Sequence, residues 1–172
     1  MRQPLMTMQL RTPANDSALH RPFSGAYGPG VRAPSKESPL GNHQGWDLLA
    51  SPGTSVYSIA EGQVDNVYPH LKGYGTAVVI KFDFRGRQMY AIYGHLSSAS
   101  VRKSQHVDEG DIVGRTGTSG NAENTKPHLH FGIMTSAVPQ HGMANFISPG
   151  HVLGYTHVRG LTTDDHIRLD IG

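Results

Sequence analysis

The alternation of apolar and polar positions predicts a chain built mostly from short strands. After residue 47, short runs rich in Val, Ile and Tyr recur, and Gly or Pro separates each run from the next. The predicted strands are residues 54–60, 62–68, 76–84, 87–93, 111–116 and 128–134. The regular spacing of the turns favours an all-β fold, with an antiparallel sheet arranged as a barrel or a sandwich.

The remaining segments predict loops and mobile ends. No segment carries a convincing helical stripe, and residues 96–103 could hold at most a short turn of helix. Residues 117–126 are polar, contain two Gly and two Asn, and predict a long loop. The pattern therefore divides the chain into a flexible N-terminal arm (1–20), a central domain (21–155) and a C-terminal tail (156–172).

Composition narrows the possible partners. A length of 172 residues fits one domain with additional ends. The net charge is +2, and Lys and Arg are scattered without forming a basic run, which argues against a nucleic-acid partner. The chain has no cysteine, which excludes disulfides and Cys-based metal sites. No apolar stretch approaches the roughly 18–20 residues of a membrane helix, so we expect no membrane span.

The N-terminus does not have the pattern of a secretory signal peptide. Pro4, Thr7 and Gln9 interrupt the first ten residues, so an apolar core of signal-peptide length does not form. Three explanations stay open: a processed chain, export by another route, or a protein that remains inside its cell.

Two histidines occupy neighbouring same-face positions of the last predicted strand. Side chains alternate along a strand, so His128 and His130 point to one face. Leu129, Phe131 and Ile133 then point to the other face, toward the core. Both imidazoles can therefore flank one site, although two surface histidines would give the same pattern.

A second pair, His43 and Asp47, lies four positions apart. Gly45 makes a helix improbable there, and an extended or looped backbone brings both side chains to one side equally well. A hydrolytic zinc site needs three protein ligands and one open position, and Asp47 with two histidines would make such a set. A further base must move a proton, and His95 is the natural candidate.

The motifs around these residues closely resemble those of the lysostaphin/LytM-type peptidases, the M23 zinc metallopeptidases. The resemblance rests on three ordered stretches: His-Gln-Gly-Trp-Asp at 43–47, Tyr-Gly-His-Leu at 93–96, and Pro-His-Leu-His-Phe at 127–131. It covers roughly residues 21–149.

This resemblance implies a role for each candidate. His43, Asp47 and His130 would bind Zn²⁺, and His95 and His128 would be catalytic residues beside the open position. The family's core is a β-sheet with a groove that carries the zinc. Residues near that groove could contact substrate, although packing and turn formation explain them equally well; these are Tyr74, Asn121, Asn124 and Thr125.

The family implies hydrolysis of peptide cross-links in bacterial peptidoglycan, and we favour the D-Ala–diaminopimelate bond. The enzyme would act as a monomer in the periplasm or outside the cell. It could remodel its own wall, or it could be a delivered antibacterial effector. The effector hypothesis adds an immunity protein or secretion machinery as partners.

Two other functions remain possible from the sequence. A LytM-like domain without activity could activate other cell-wall hydrolases, but the key residues are all present. A biotinyl- or lipoyl-like binding module would explain the turn at residues 111–117, yet the chain lacks a lysine at a hairpin tip and such a module would not need His43, Asp47 and His130.

Overall fold

The computed structural model describes residues 1–155 and 158–160. That part of the chain forms nine strands and one short helix: β1 (Trp46–Leu49), β2 (Ser55–Tyr57), β3 (Gly62–Leu71), β4 (Gly75–Phe84), β5 (Arg87–Ala99), β6 (His106–Val107), β7 (Ile112–Thr116), β8 (His128–Met134), β9 (Phe146–Ile147) and α1 (Gly150–Leu153). A 3₁₀ turn, Gly120–Ala122, precedes β8. All of these strands pair in antiparallel fashion, which confirms the predicted all-β antiparallel fold.

Strand order brings distant motifs together. The sheet runs β1-β8-β5-β4-β3-β6, while β7 pairs with β2 and β5, and β9 pairs with β8. Asp47 of β1 lies opposite His130 of β8, and His130 lies opposite Gly94 of β5. The three motifs therefore occupy adjacent strands at the same level of the sheet.

The two faces of β8 have different environments. Leu129, Phe131 and Ile133 are fully buried in the main hydrophobic cluster, as their alternation predicts. In β1, Trp46 and Leu48 join the same cluster. Because side chains alternate, this packing turns Asp47, His128 and His130 to the opposite face.

Some elements differ from the sequence pattern. Residues 96–99 continue β5, because Leu96 pairs with Thr116 and Ala99 with Gly114 of β7, so no helical turn forms there. Only residues 55–57 of the predicted strand 54–60 form a strand. The pattern does not predict the short strand β1, because its four residues, Trp-Asp-Leu-Leu, are too few to show an alternation.

The N-terminal residues pack against the sheet. Leu5, Met8 and Leu10 are almost fully buried in the main cluster, although the pattern predicted a flexible arm. Widely spaced apolar residues without periodicity gave no indication of this contact.

The division of the chain at residues 20 and 155 stays a prediction, and the predicted tail lies outside the described residues except for 158–160. Within the described residues, no helix has the length and apolarity needed to cross a membrane.

Candidate metal centre

Three predicted ligands converge on one face of the sheet. Asp47 and His130 are register partners in β1 and β8. His43 precedes β1, where its backbone N–H donates to Gly28 O at 2.9 Å and its carbonyl accepts from Gly28 N at 3.1 Å. All three side chains are buried. Local backbone pairing thus holds each one in place.

The distances between the possible ligand atoms suit a small cation. Asp47 Oδ1 lies 3.0 Å from His43 Nε2 and 3.3 Å from His130 Nδ1. One ligand atom from each of the three residues lies within 4.8 Å of the others. Nitrogen and oxygen ligands at about 2.0–2.1 Å from a tetrahedral zinc lie about 3.3 Å apart, so this donor set fits zinc.

The protonation state of His43 favours metal binding. Its Nδ1–H donates to the Ala26 carbonyl at 2.7 Å, which leaves the lone pair of Nε2 directed toward Asp47. Burial, assisted by the Arg32 guanidinium, lowers the pKa of His43, so the imidazole stays neutral. Two acceptors, Nε2 and Asp47 Oδ1, face each other, an arrangement that a cation bound between them would stabilise.

His130 is also held neutral. Burial lowers its pKa to about 4, although its contact with Asp47 acts in the opposite direction. Its Nε2 is buried and has no hydrogen-bond partner within the described part of the chain. Such orphaned buried atoms are rare in proteins and call for a functional explanation.

Two arginines and His128 lie close to the second oxygen of Asp47. The Arg32 guanidinium contacts Oδ2 and also lies 3.1 Å from His43 Nε2. Arg11 Nη1 and His128 Nε2 each lie 3.5 Å from the same oxygen. Burial by itself would raise the pKa of this carboxyl, but the surrounding imidazoles and Arg32 hold it well below its usual value. Asp47 is therefore ionised at neutral pH.

The two predicted catalytic histidines form a second pair beside the ligands. Their ring centroids are 5.0 Å apart, and the His95 ring lies 5.9 Å from that of His130. His95 Nδ1 donates to Ser119 O and His128 Nδ1 donates to Lys126 O, each at 2.8 Å. Each Nε2 is consequently left as the basic nitrogen.

His95 has an unusual backbone. Its φ is 60°, in the left-handed region that non-glycine residues rarely adopt, and its N–H donates to Tyr74 O at 2.7 Å. Burial, with His130 and His128 nearby, lowers the pKa of its imidazole to about 3. Strained backbone of this kind is concentrated at functional sites.

The four predicted substrate contacts fall into two groups. Tyr74 borders the site: its ring meets that of His130 edge-on at 5.0 Å, and its hydroxyl contacts Gln44 Oε1. Asn121 and Asn124 are exposed in the loop before β8, and Thr125 Oγ1 donates to Ala122 O within that loop. A substrate role for these residues stays a prediction.

Sequence reasoning missed two arginines at this centre, Arg11 and Arg32. Neither lies in a periodic segment or near a ligand motif, and Arg32 belongs to a loop rich in Gly and Pro. Both contact Asp47 from a distance in the sequence: Arg11 lies 36 positions and Arg32 lies 15 positions before it.

Comparison with known proteins assigns the chain to a family. Residues 41–142 match the sequence profile of peptidase family M23. The chain belongs to that family. The resemblance drawn from the motifs is thereby confirmed, and the match includes all five residues described above.

Individual M23 relatives agree with this assignment. Glycyl-glycine endopeptidase ALE-1 of Staphylococcus capitis is 35% identical over 98 residues, which is 56% of this chain and 26% of that protein. Peptidoglycan DD-endopeptidase ShyA of Vibrio cholerae is 33% identical over 121 residues, 62% of this chain and 27% of the relative. The matched part thus spans about a quarter of these two relatives.

The fold also resembles that of a peptidase of known structure. The catalytic domain of lysostaphin, an antimicrobial peptidase from Staphylococcus simulans, superposes with a TM-score of 0.62 and 28% identity. The superposition covers 76% of this chain and 90% of that domain. The catalytic unit of that enzyme and the M23 domain of this chain therefore share one architecture.

Proposed function

We propose that this M23 domain is a zinc-dependent endopeptidase that hydrolyses peptide cross-links in bacterial peptidoglycan. His43, Asp47 and His130 hold the zinc, and His95 and His128 are the catalytic residues. The observation that carries the proposal is the convergence of three possible metal ligands, two imidazoles and one carboxylate, whose ligand atoms lie within 4.8 Å of one another. Two further histidines lie beside them, and each has its Nδ1 bonded to a main-chain carbonyl and its Nε2 available to accept a proton.

Each group has a defined part in the chemistry. A zinc ion bound here would polarise the scissile carbonyl and lower the pKa of a water toward about 7. His95 and His128 share the proton transfers, from the attacking water and to the leaving amine. The Ser119 and Lys126 carbonyls keep the proton of each imidazole on Nδ1, so that Nε2 serves as the base.

We further propose that the bond is the D-Ala–diaminopimelate cross-link. Support comes from the likeness to a protein named as a peptidoglycan DD-endopeptidase, which aligns over 121 residues. The relative named as a glycyl-glycine endopeptidase makes the glycine bridge the alternative bond. Either substrate implies action in the periplasm or outside the cell.

Digestion of purified sacculi tests the proposal. The protein is incubated with D-Ala–diaminopimelate-linked and with glycine-bridged sacculi, each with zinc and with excess chelator, and released fragments are identified by mass. We expect cross-linked dimers of the first type to fall to monomers, loss of the reaction with chelator, and no reaction with Asp47→Ala. An activator without its own activity would leave both substrates intact, and chelator-resistant cleavage would contradict the zinc assignment.

A further inference from the structure

The two oxygens of Asp47 face different partners. Oδ1 lies 3.0 Å from His43 Nε2 and 3.3 Å from His130 Nδ1, the proposed ligand atoms. Oδ2 faces the guanidinium groups of Arg11 and Arg32. The carboxylate is thus fixed in rotation, with one oxygen directed at the ligands and the other at two cations.

Arg11 is built into the fold. Its side chain is 7% exposed, and its Nε donates to Asp16 Oδ2 at 2.7 Å while Nη1 reaches Asp47 Oδ2 at 3.5 Å. The backbone N–H of Arg11 also donates to Asp47 O at 2.9 Å. One residue therefore holds both the main chain and the side chain of Asp47.

Asp16 is held in turn by its own loop. Its Oδ1 accepts from Ala18 N at 3.0 Å. The preceding turn is closed by Asn15, whose Oδ1 accepts from Thr12 N at 2.9 Å and whose Nδ2 donates to Leu10 O at 2.8 Å. This turn keeps Asp16 beside Arg11 and leaves the guanidinium little freedom to move.

A second arginine comes from a neighbouring loop. Arg32 Nε donates to Ser24 O at 2.8 Å, and its backbone N–H donates to Gly41 O at 2.9 Å. Arg11, Asp16 and Arg32 all precede residue 41, where the family match begins. The part of the chain before the match thus supplies the cations that contact a proposed ligand.

We infer that Arg11, held in place by Asp16, is a positioning residue of the metal centre and that residues 10–32 complete this centre. The inference rests on the proposed zinc site. A buried carboxylate that is held through Oδ2 presents Oδ1 alone to a metal, without the entropy cost of ordering on binding. The two guanidinium groups also offset the cost of burying the carboxylate charge.

Metal affinity provides the test. Zinc dissociation constants are measured by competition with a chromogenic chelator for the wild type, Arg11→Gln, Asp16→Asn and the exposed control Arg102→Gln. Groups that orient metal ligands typically contribute 10–100-fold to affinity. We expect a loss of that size for Arg11→Gln, a smaller loss for Asp16→Asn, and none for Arg102→Gln.

A spectroscopic measurement distinguishes an orienting role of Arg11 from the effect of its positive charge alone. Co²⁺ is substituted for zinc, and its visible absorption reports coordination number and geometry. We expect Arg11→Gln to change this spectrum, because Arg32 alone then holds Oδ2 and the carboxylate can rotate to bind through both oxygens, whereas Arg11→Lys should shift it less. Arg11 is the better probe of the two arginines, since Arg32 also lies 3.1 Å from a ligand nitrogen, His43 Nε2.

The possible outcomes are distinct. Unchanged or tighter zinc binding by both Arg11→Gln and Asp16→Asn, with an unchanged cobalt spectrum, overturns the inference and leaves the proposed function intact. If the wild type binds no zinc, the proposed function itself fails. Circular dichroism of each chelated variant establishes folding, and should Arg11→Gln not fold, the affinity of Asp16→Asn decides.

Discussion

At the scale of single residues, burial and hydrogen bonds to the main chain set the protonation states. Burial lowers the pKa of His43, His95 and His130, while positive neighbours keep Asp47 ionised. Carbonyls of Ala26, Ser119 and Lys126 select which nitrogen carries the proton. At neutral pH the three imidazoles are therefore neutral, each with a nitrogen lone pair available to a cation or to a hydrogen-bond donor, while Asp47 is an anion.

Substitutions should separate the proposed ligands from the proposed catalytic residues. We expect Asp47→Ala and His130→Ala to lose bound zinc and activity together. His95→Ala and His128→Ala should keep their zinc and lose about 10²–10⁴ in rate, the usual contribution of a general acid or base. Metal analysis of each purified variant, paired with muropeptide release rates, checks this. Zinc retained by Asp47→Ala would refute the ligand assignment.

Acid should destabilise the metal-free protein. The folded-state pKa of His95 is about 3 and that of His130 about 4, both lowered mainly by burial, against an ordinary value of 6.5. Between the folded-state pKa values and 6.5, the unfolded chain binds more protons than the folded protein does. The stability present above pH 6.5 is therefore lost progressively as pH falls through 6.5 toward 3. Urea unfolding in excess chelator at several pH values measures the slope.

A matched pair of variants isolates this effect. His95→Gln should flatten the pH dependence, whereas His141→Gln, at an exposed position, should leave the slope unchanged. Equal slopes in all three proteins would rule out buried imidazoles as the cause.

At the scale of elements, the site depends on strand register and on two glycine turns. β1, β8 and β5 place Asp47, His130 and Gly94 side by side. Gly75 and Gly120 both have φ of +71°, and a Cβ on Gly120 would lie 2.5 Å from Gly75 N. This close approach brings the Ser119 carbonyl within 2.8 Å of His95 Nδ1.

Gly75→Ala should disturb this approach and with it His95, one of the two proposed catalytic residues. An added Cβ would overlap the backbone of Gly120 and Ser119, so the loop must move away from His95. We expect a lower rate with bound zinc retained, together with reduced stability in thermal unfolding. A variant with wild-type rate and stability would show that the approach is unimportant.

Gly86→Ala is the control for backbone strain. Gly86 also has a positive φ, +80°, but nothing lies within 4 Å of an added Cβ. The Gly86→Ala substitution should lower the free energy of unfolding by roughly 1–2 kcal/mol, the penalty for a left-handed backbone with a Cβ. It should leave the reaction rate unchanged.

At the scale of the whole molecule, the N-terminal residues are part of the core. Leu10 is 1% exposed, pairs with Leu48 of β1 through an isolated bridge, and precedes Arg11 directly. Packing of this segment thus fixes both the stability of β1 and the position of the Arg11 guanidinium. The face of β1 that carries Asp47 and its apolar face are supported by the same stretch of chain.

Leu10→Ala should lower the free energy of unfolding by about 2–5 kcal/mol, as expected for a fully buried leucine. The control is Met6→Ala, since Met6 is 73% exposed and its truncation should change stability by less than about 0.5 kcal/mol. Chemical denaturation of both variants provides the comparison. Equal stabilities would mean that the N-terminal residues do not pack as described.

The sequence by itself determined the antiparallel all-β class, the bounds of β3, β4, β7 and β8 to within three residues, the start but not the end of β5, and the separation of His128 and His130 from Leu129 and Phe131. These features follow from local periodicity, which can be detected within a few neighbouring residues. The five candidate site residues were also identified, through short motifs that resemble those of a known family.

Only the tertiary structure decided how those residues meet and what supports them. Asp47 and His130 are 83 positions apart and become register partners through strand pairing. Arg11 reaches Asp47 across 36 positions, and the Ala26 carbonyl selects the His43 tautomer. Such contacts arise from the packing of distant segments around one core, and no local pattern of apolar and polar residues encodes them.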